Sequence, residues 1–421
     1  MYRLRFVKNL LIELRSEIRS WPMGQKMILY SVFISIAGGR WASYIGIPSA
    51  NIFFIDLLFF GGWLASLSRF AREAVFHRVL FHSFLFSFII FQFLRNLDSS
   101  PIVRLRDLLP YIYFFTLPVI AFIFQNMSIR VLILLIRLAT LLHIIWLLPV
   151  VLKLLKPITL GGPFGIPIFS DRWDQSGIAI AIGILAWKQN SDLKLTGNIR
   201  IQVLFILCGL FQWSRASLIA ISISLVISFF DFGRKTRGEN RKRSKLALVL
   251  AYITIICILL LPTLSSFIPT NSVLNRLGVT DISESLQSGA SDTADARQIS
   301  QKLLLDWVKE RDQLIMGAGP GSEMVFESGA YIYLSGDPNV RSPHSWLYGG
   351  VGRFGIVGFG FWLLLLANGL RPHYRLKKIT SPPLHFIIPI LIVSLFGVIV
   401  ESPFGSLPLV FFTAVGIREK S

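Results

Sequence analysis

Six histidines are spread along the chain: His77, His82, His143, His344, His373 and His385. An imidazole titrates near neutral pH and can take a proton from a hydroxyl group. His344 stands apart. It lies where a long polar segment meets an apolar run, on the side opposite the basic loops. By position it is either a capping residue at a helix start or a proton acceptor. Arg215, in FQWSRASLIA, sits at the mouth of another apolar run. A guanidinium there snorkels, pairs with an acid or binds an anion. Its neighbours Ser214 and Ser217 form a polar collar that favours a site. Arg297 opens an amphipathic stretch, with Asp292 and Asp295 as ion-pair partners in the simpler reading. Arg172, in SDRWDQSG, falls on the same side. Glu401, in VESPFGS, is predicted at the outer end of the penultimate span. It orients His344, pairs with Arg215, or is a plain helix-end carboxylate.

Other chemistries lack their residues. GAGPGSE (317–323) is Gly-rich but has no Gly-Lys-Ser/Thr ending, so it reads as a tight turn and not a nucleotide loop. There is no zinc spacing and no Asp-x-Asp pair for a metal-bound nucleotide sugar. No Gly-x-Ser-x-Gly context supports a serine nucleophile. Cys208 and Cys257 lie in apolar runs and imply no disulfide framework.

The elements that must position these residues follow from composition. The 421 residues are 53% hydrophobic and only 15% charged, yet the net charge is +19. A soluble domain needs more surface charge, and disorder needs less hydrophobicity. A nucleic-acid binder would carry its charge on a polar module, which is absent. An all-α polytopic membrane protein with basic loops remains. Apolar runs predict about twelve spans, at 27–47, 49–67, 77–94, 108–125, 130–152, 174–187, 199–212, 215–232, 246–266, 346–368, 384–400 and 404–417. The first pair is divided only by a small Gly/Ser/Pro turn. The basic, amphipathic N-terminus reads as a helix on the membrane surface and not as a cleaved signal.

Positive loops stay cytoplasmic. The stretch 233–245 holds seven Lys and Arg against one Glu. With twelve spans, it and both termini share the cytoplasmic side, as do the groups at 69–78, 188–200 and 371–378. Arg95, Arg104, Arg106, Lys153 and Lys156 fall on the other side as exceptions. The chain then divides into an N-terminal bundle (1–266), an extracytoplasmic loop (267–345), periplasmic if the chain is bacterial, and C-terminal spans (346–421). The loop carries 6 Lys and Arg against 10 Asp and Glu, so the basic excess is not there. Within it, 297–314 places Ile299, Leu303, Trp307 and Leu314 near helical spacing and predicts an amphipathic helix.

His344-Ser345, nine further residues, then Gly355-Ile356-Val357-Gly358 resembles the His-(Asn/Ser/Gln)-x9-Gly-x-x-Gly signature of the O-antigen ligase and polymerase superfamily. WSRAS around Arg215 resembles the family's Ser-Arg pair at the head of a periplasm-facing helix. Arg297, Trp307 and the turn Gly317 to Gly321, with Gly319 at its centre, resemble its loop block. The likeness covers residues 200–365. Two positions depart: Arg172 is followed by Trp173-Asp174-Gln175 where the family often has Pro-Asn, and Phe361 stands where some members have Gly, Thr or Tyr.

The resemblance implies a GT-C-like membrane enzyme of the inverting, metal-independent type, with no cofactor. It implies an undecaprenyl-pyrophosphate-linked glycan as donor and a sugar hydroxyl as acceptor, on lipid A-core for a ligase or on another repeat unit for a polymerase. It also implies a bacterial inner membrane location with the active site facing the periplasm. His344 would then be the catalytic base, and Arg215 and Arg297 would bind the pyrophosphate. Arg172, Glu401, Ser214, Trp307, Gly319, Gly355 and Gly358 would support them. Arginine forks suit a leaving group that gains negative charge. A polysaccharide or lipid transporter is the competing class. It predicts mid-membrane charges and inverted repeats; Arg137 is the clearest such charge, and no repeat is found.

Overall fold

Backbone in hydrocarbon must satisfy its own hydrogen bonds, so the apolar runs fold as helices. The computed structural model describes residues 14–39, 46–47, 52–73, 76–125, 127–152, 172–188, 198–212, 215–235, 294–334, 336–375, 382–397 and 399–415, with isolated residues 12, 42 and 154. The expected span 246–266, the basic loop 236–245 and loop residues 267–293 lie outside them, as do Ser214, Lys153 and Lys156.

The N-terminal helices are α1 (Met23–Gly38), α2 (Phe54–Glu73), α3 (Phe76–Phe93), α4 (Pro101–Phe115), α5 (Leu117–Ile123), α6 (Ile129–Val151), α7 (Trp173–Ala186), α8 (Ile199–Gln212) and α9 (Arg215–Lys235). The polar segment contributes α10 (Ala294–Glu310) and the single turns α11 (Met324–Glu327) and α12 (Tyr331–Leu334). The chain closes with α13 (Trp346–Arg375), α14 (Pro382–Phe396), a 3-10 turn (Ile399–Glu401) and α15 (Pro403–Val415). Strands β1 (Gly46–Ile47) and β2 (Ile52–Phe53) form one short antiparallel pair.

Among the described residues, four helical stretches are long and apolar enough to cross a bilayer: Phe54–Arg72, Pro101–Ile123, Ile129–Val151 and Trp346–Leu370. Shorter apolar helices accompany them, and Phe84, Leu57 and Leu364 lie more than half exposed on the outer surface. An outward apolar coat suits lipid and not water. The protein is an all-α integral membrane protein.

The boundaries of α1 and α4 differ from expectation. Helix α1 stops at Gly38, short of residue 47, because Gly39 turns the chain at φ 50°. The run expected at 108–125 starts earlier, at Pro101, and is interrupted at Thr116. Proline at a first helical position loses nothing, since its missing N–H would be unpaired there.

Helix ends gather at two ends of the bundle. At one end, Gln25 donates to the Ile123 carbonyl. Arg137 also belongs there: its Nε donates to Ala186 O at 2.7 Å and its Nη2 to Lys188 O at 2.9 Å, with Trp187 under the guanidinium. Its charge serves the carbonyl end of α7, where a cation is favoured. The opposite end carries the polar segment. There Leu304, Trp307, Val308, Met324, Val325 and Leu334 form a small apolar core of their own. Helix α10 ends at Glu310 and not at Leu314, because Asp312 adopts φ 54° and Gln313 N–H returns to Val308 O at 2.9 Å.

Candidate active site beside the start of α13

His344 lies two residues before α13 and adopts φ 54°. A non-glycine residue in the left-handed region is uncommon and is sustained only by its surroundings. The residues just before it are held by an ionic cluster. Arg353, about two turns into α13 and 1% exposed, lies 3.1 Å from Glu401 Oε2 through Nη1. Its Nε lies 3.3 Å from Asp107 Oδ2, and its Nη2 donates to the Arg341 carbonyl. Asp107 Oδ2 also accepts from Gly321 N–H at 2.8 Å and meets Arg341 Nη2 at 3.3 Å. Ser342 Oγ donates to Glu401 Oε1 at 3.1 Å. The segment Arg341 to His344 is thereby tied to α4, to α13 and to the 3-10 turn.

The glycine turn is the second support. Gly317 has φ 72° and Gly355 has φ 66°, the latter interrupting α13. A Cβ on Gly317 would lie 2.3 Å from Arg353 O, and one on Gly355 2.1 Å from Ile315 O. This close approach lets two backbones pair. Ala318 N–H donates to Gly352 O at 2.8 Å and Gly319 N–H to Arg353 O at 2.7 Å, while Ile356 N–H returns to Leu314 O at 3.0 Å. The His-to-Gly spacing therefore measures the distance from His344 to this break. Gly358 accepts a hydrogen bond from Tyr111 at its carbonyl, 2.7 Å away.

Two of the arginines that broke the charge-side rule hold this region. Arg95 donates to Met316 O at 2.5 Å and to Gly317 O at 2.6 Å, and Asn96 donates to Ala318 O at 2.6 Å. Arg104 donates to Phe93 O at 2.6 Å and stacks on the Phe93 ring. Both join the turn between α3 and α4 to its surroundings.

Around the imidazole, charges converge. Burial lowers His344 to about 4, and the charges of Arg297 and Arg172 act in the same direction while Asp174 opposes them. The group is therefore neutral at physiological pH. Arg297 reaches it from the first turns of α10, and Arg172 from the N-cap of α7, where it pairs with Asp174 at 3.1 Å. Arg215 is the first residue of α9, but its side chain lies outside the described residues. Ser217, two positions on, packs where a Cβ on Gly177 of α7 would fall, 2.3 Å from its Oγ. The starts of α7 and α9 thus lie together.

The structure brings His344, Arg297 and Arg172 together and adds Asp174. Trp307 is instead part of the small apolar core, covered by Arg311 at 4.3 Å. Glu401 has Arg353 and Ser342 among its partners. Sequence reasoning missed Asp107, Arg341 and Arg353. The available signal was a lone arginine inside an apolar run at 353.

Fold and site together define a membrane-embedded protein with a buried histidine in the field of two arginines at one end of its helix bundle. Residues 201–363 match the family model described as O-antigen ligase. This match supports the O-antigen ligase and polymerase superfamily, and that family implies glycan transfer of one of these two types. No curated protein matches the chain.

Proposed function

We propose that the protein transfers a glycan from undecaprenyl pyrophosphate to a sugar hydroxyl at the periplasmic face of the inner membrane, as an O-antigen ligase whose acceptor is lipid A-core. The observation that carries this reading is the neutral His344 within the field of Arg297 and Arg172. The acceptor oxygen attacks the anomeric carbon, and the bond from that carbon to the pyrophosphate oxygen breaks. The electron pair leaves with the pyrophosphate, the hydroxyl proton passes to His344, and the anomeric centre inverts. Arg215 and Arg297 hold the pyrophosphate as its charge grows, with Arg172 in support. Fixed guanidinium forks stabilise developing oxyanions more than they stabilise the ground state. No metal takes part.

The charges also suggest order. Burial, together with the charges of Arg297 and Arg172, holds the imidazole's basicity down. A bound pyrophosphate offsets those charges and raises it, so the base gains strength when the donor is in place.

Repeat-unit polymerase is the second reading, since the O-antigen ligase match suits either acceptor. Incubation of purified protein with lipid-linked donor, with and without lipid A-core, tests the assignment. Product only when lipid A-core is present supports the ligase. Chain growth on donor alone supports the polymerase, and no transfer under either condition overturns both.

A further inference from the structure

Arg106 remains unexplained by the site above. It precedes Asp107 on α4, and consecutive helical residues point about 100° apart. Asp107 turns inward to the ion cluster, whereas Arg106 lines a cavity of about 410 Å³ between α4 and the polar segment. Neither a hydrogen bond nor an ion pair holds Arg106 among the described residues; its charge is felt only at longer range by Asp107, Glu401, Arg341 and Arg353. Arg341 shares the cavity wall. Its Nη2 is engaged by Asp107 and Ser322 O, but its Nε is buried with no acceptor among the described residues. A buried donor without a partner is costly, and an anion would satisfy it.

The rest of the wall is not that of a bare anion site. Asn339 and Glu323 line it, with donors and acceptors suited to hydroxyl groups. Phe326 is 44% exposed beside them, braced by the Tyr331 ring at 5.3 Å. An exposed aromatic face next to polar groups suits the apolar face of a sugar ring. The size is that of a small-molecule site.

We infer that this cavity is a second subsite that binds a saccharide bearing a phosphate or carboxylate group. Arg106 and Arg341 take the anion, Asn339 and Glu323 take ring hydroxyls, and Phe326 takes the ring. The choice of a saccharide rests on the glycan-transfer reading; the anion does not. The subsite is walled by α4 and the segment preceding His344, so it would grip an acidic unit of a glycan while another unit sits at His344.

The test is binding without turnover, by thermal stabilisation of the full-length protein in detergent. The probes are glucose 1-phosphate, inorganic phosphate and glucose. A ligand that binds only the folded state raises its melting temperature with concentration. Glucose 1-phosphate is expected to bind more tightly than inorganic phosphate, and glucose to give no shift. Arg106→Gln is expected to weaken glucose 1-phosphate binding about tenfold or more, because a charge-assisted contact is lost. Arg106→Lys keeps the charge and should fall between. Arg297→Gln, which removes a guanidinium from the proposed pyrophosphate site, should bind glucose 1-phosphate as the unaltered protein does, which separates this subsite from the reaction centre. Unchanged binding in Arg106→Gln, equal binding of inorganic phosphate and glucose 1-phosphate, or loss of binding in Arg297→Gln would each overturn the inference. Because no transfer is measured, failure of the transfer reading leaves this result readable.

Discussion

At the residue scale, His344 and Arg297 form a coupled pair, and the coupling has a sign. Burial and the guanidinium charges favour the neutral imidazole. The ratio kcat/KM, which reports the donor-free protein, should therefore hold from neutral pH downward and fall as pH drops through about 4, where the imidazole charges. Arg297→Gln removes a repulsive charge, so the acid limb of its pH–rate profile should move upward. Its maximal rate should fall about 100-fold through loss of a leaving-group donor. Arg297→Lys keeps the charge and should leave the acid limb in place while losing the fork. An acid limb that stays fixed in Arg297→Gln would contradict the coupling. His344 was legible because no other histidine falls at the junction of the long polar segment and an apolar run. Arg353 was not. Its carboxylate partners lie on α4 and the 3-10 turn, far away in sequence, and only folding brings them within 3.3 Å. Arg353→Leu leaves Asp107 buried beside fewer cations. Loss of one partner of a buried pair costs about 3–5 kcal/mol, measurable as a lower thermal midpoint in detergent.

At the scale of elements, the motif glycines have a geometric meaning that spacing alone hides. Gly355 breaks α13 so that residues 352–357 can pair with 314–319. Gly355→Ala must hold a side chain at φ 66° with its Cβ against Ile315 O. We expect a loss of at least about 1–3 kcal/mol from the backbone strain and transfer reduced along with it, since Arg341 to His344 is anchored through the same neighbourhood. Urea or thermal unfolding beside a transfer assay checks both; unaltered stability would refute the pairing role. The glycine pattern was visible in the sequence, but its φ values were not, because they are set by a partner stretch of backbone. Likewise Trp307 has the periodicity of an amphipathic helix, yet periodicity cannot say whether its face meets a ligand or a core. Here it meets Val308, Met324 and Leu334 in a small core.

At the scale of the whole molecule, the sorting of Lys and Arg along the chain distinguishes the two ends of the bundle. The arginines that depart from it are instructive: Arg95 and Arg104 hold the turn between α3 and α4, and Arg106 lines the cavity. The charge rule reads where the cell leaves cations during insertion, and cannot read cations retained for contacts on the other side. Arg137 gives a similar lesson, since it serves the end of α7 and not a transport path. The proposed orientation predicts that a cysteine at the exposed Asp337 is labelled by an impermeant thiol reagent added to spheroplasts. One at the exposed Arg72 should be protected until the membrane is opened, and the reverse pattern would invert the topology. The most direct measurement of the central claim is glycan transfer from a lipid-linked pyrophosphate donor by purified His344→Ala protein, against the unaltered protein at equal folded concentration. The account predicts a loss of about 100-fold or more, with donor binding retained. Transfer at the unaltered rate would contradict the assignment of His344 as the base.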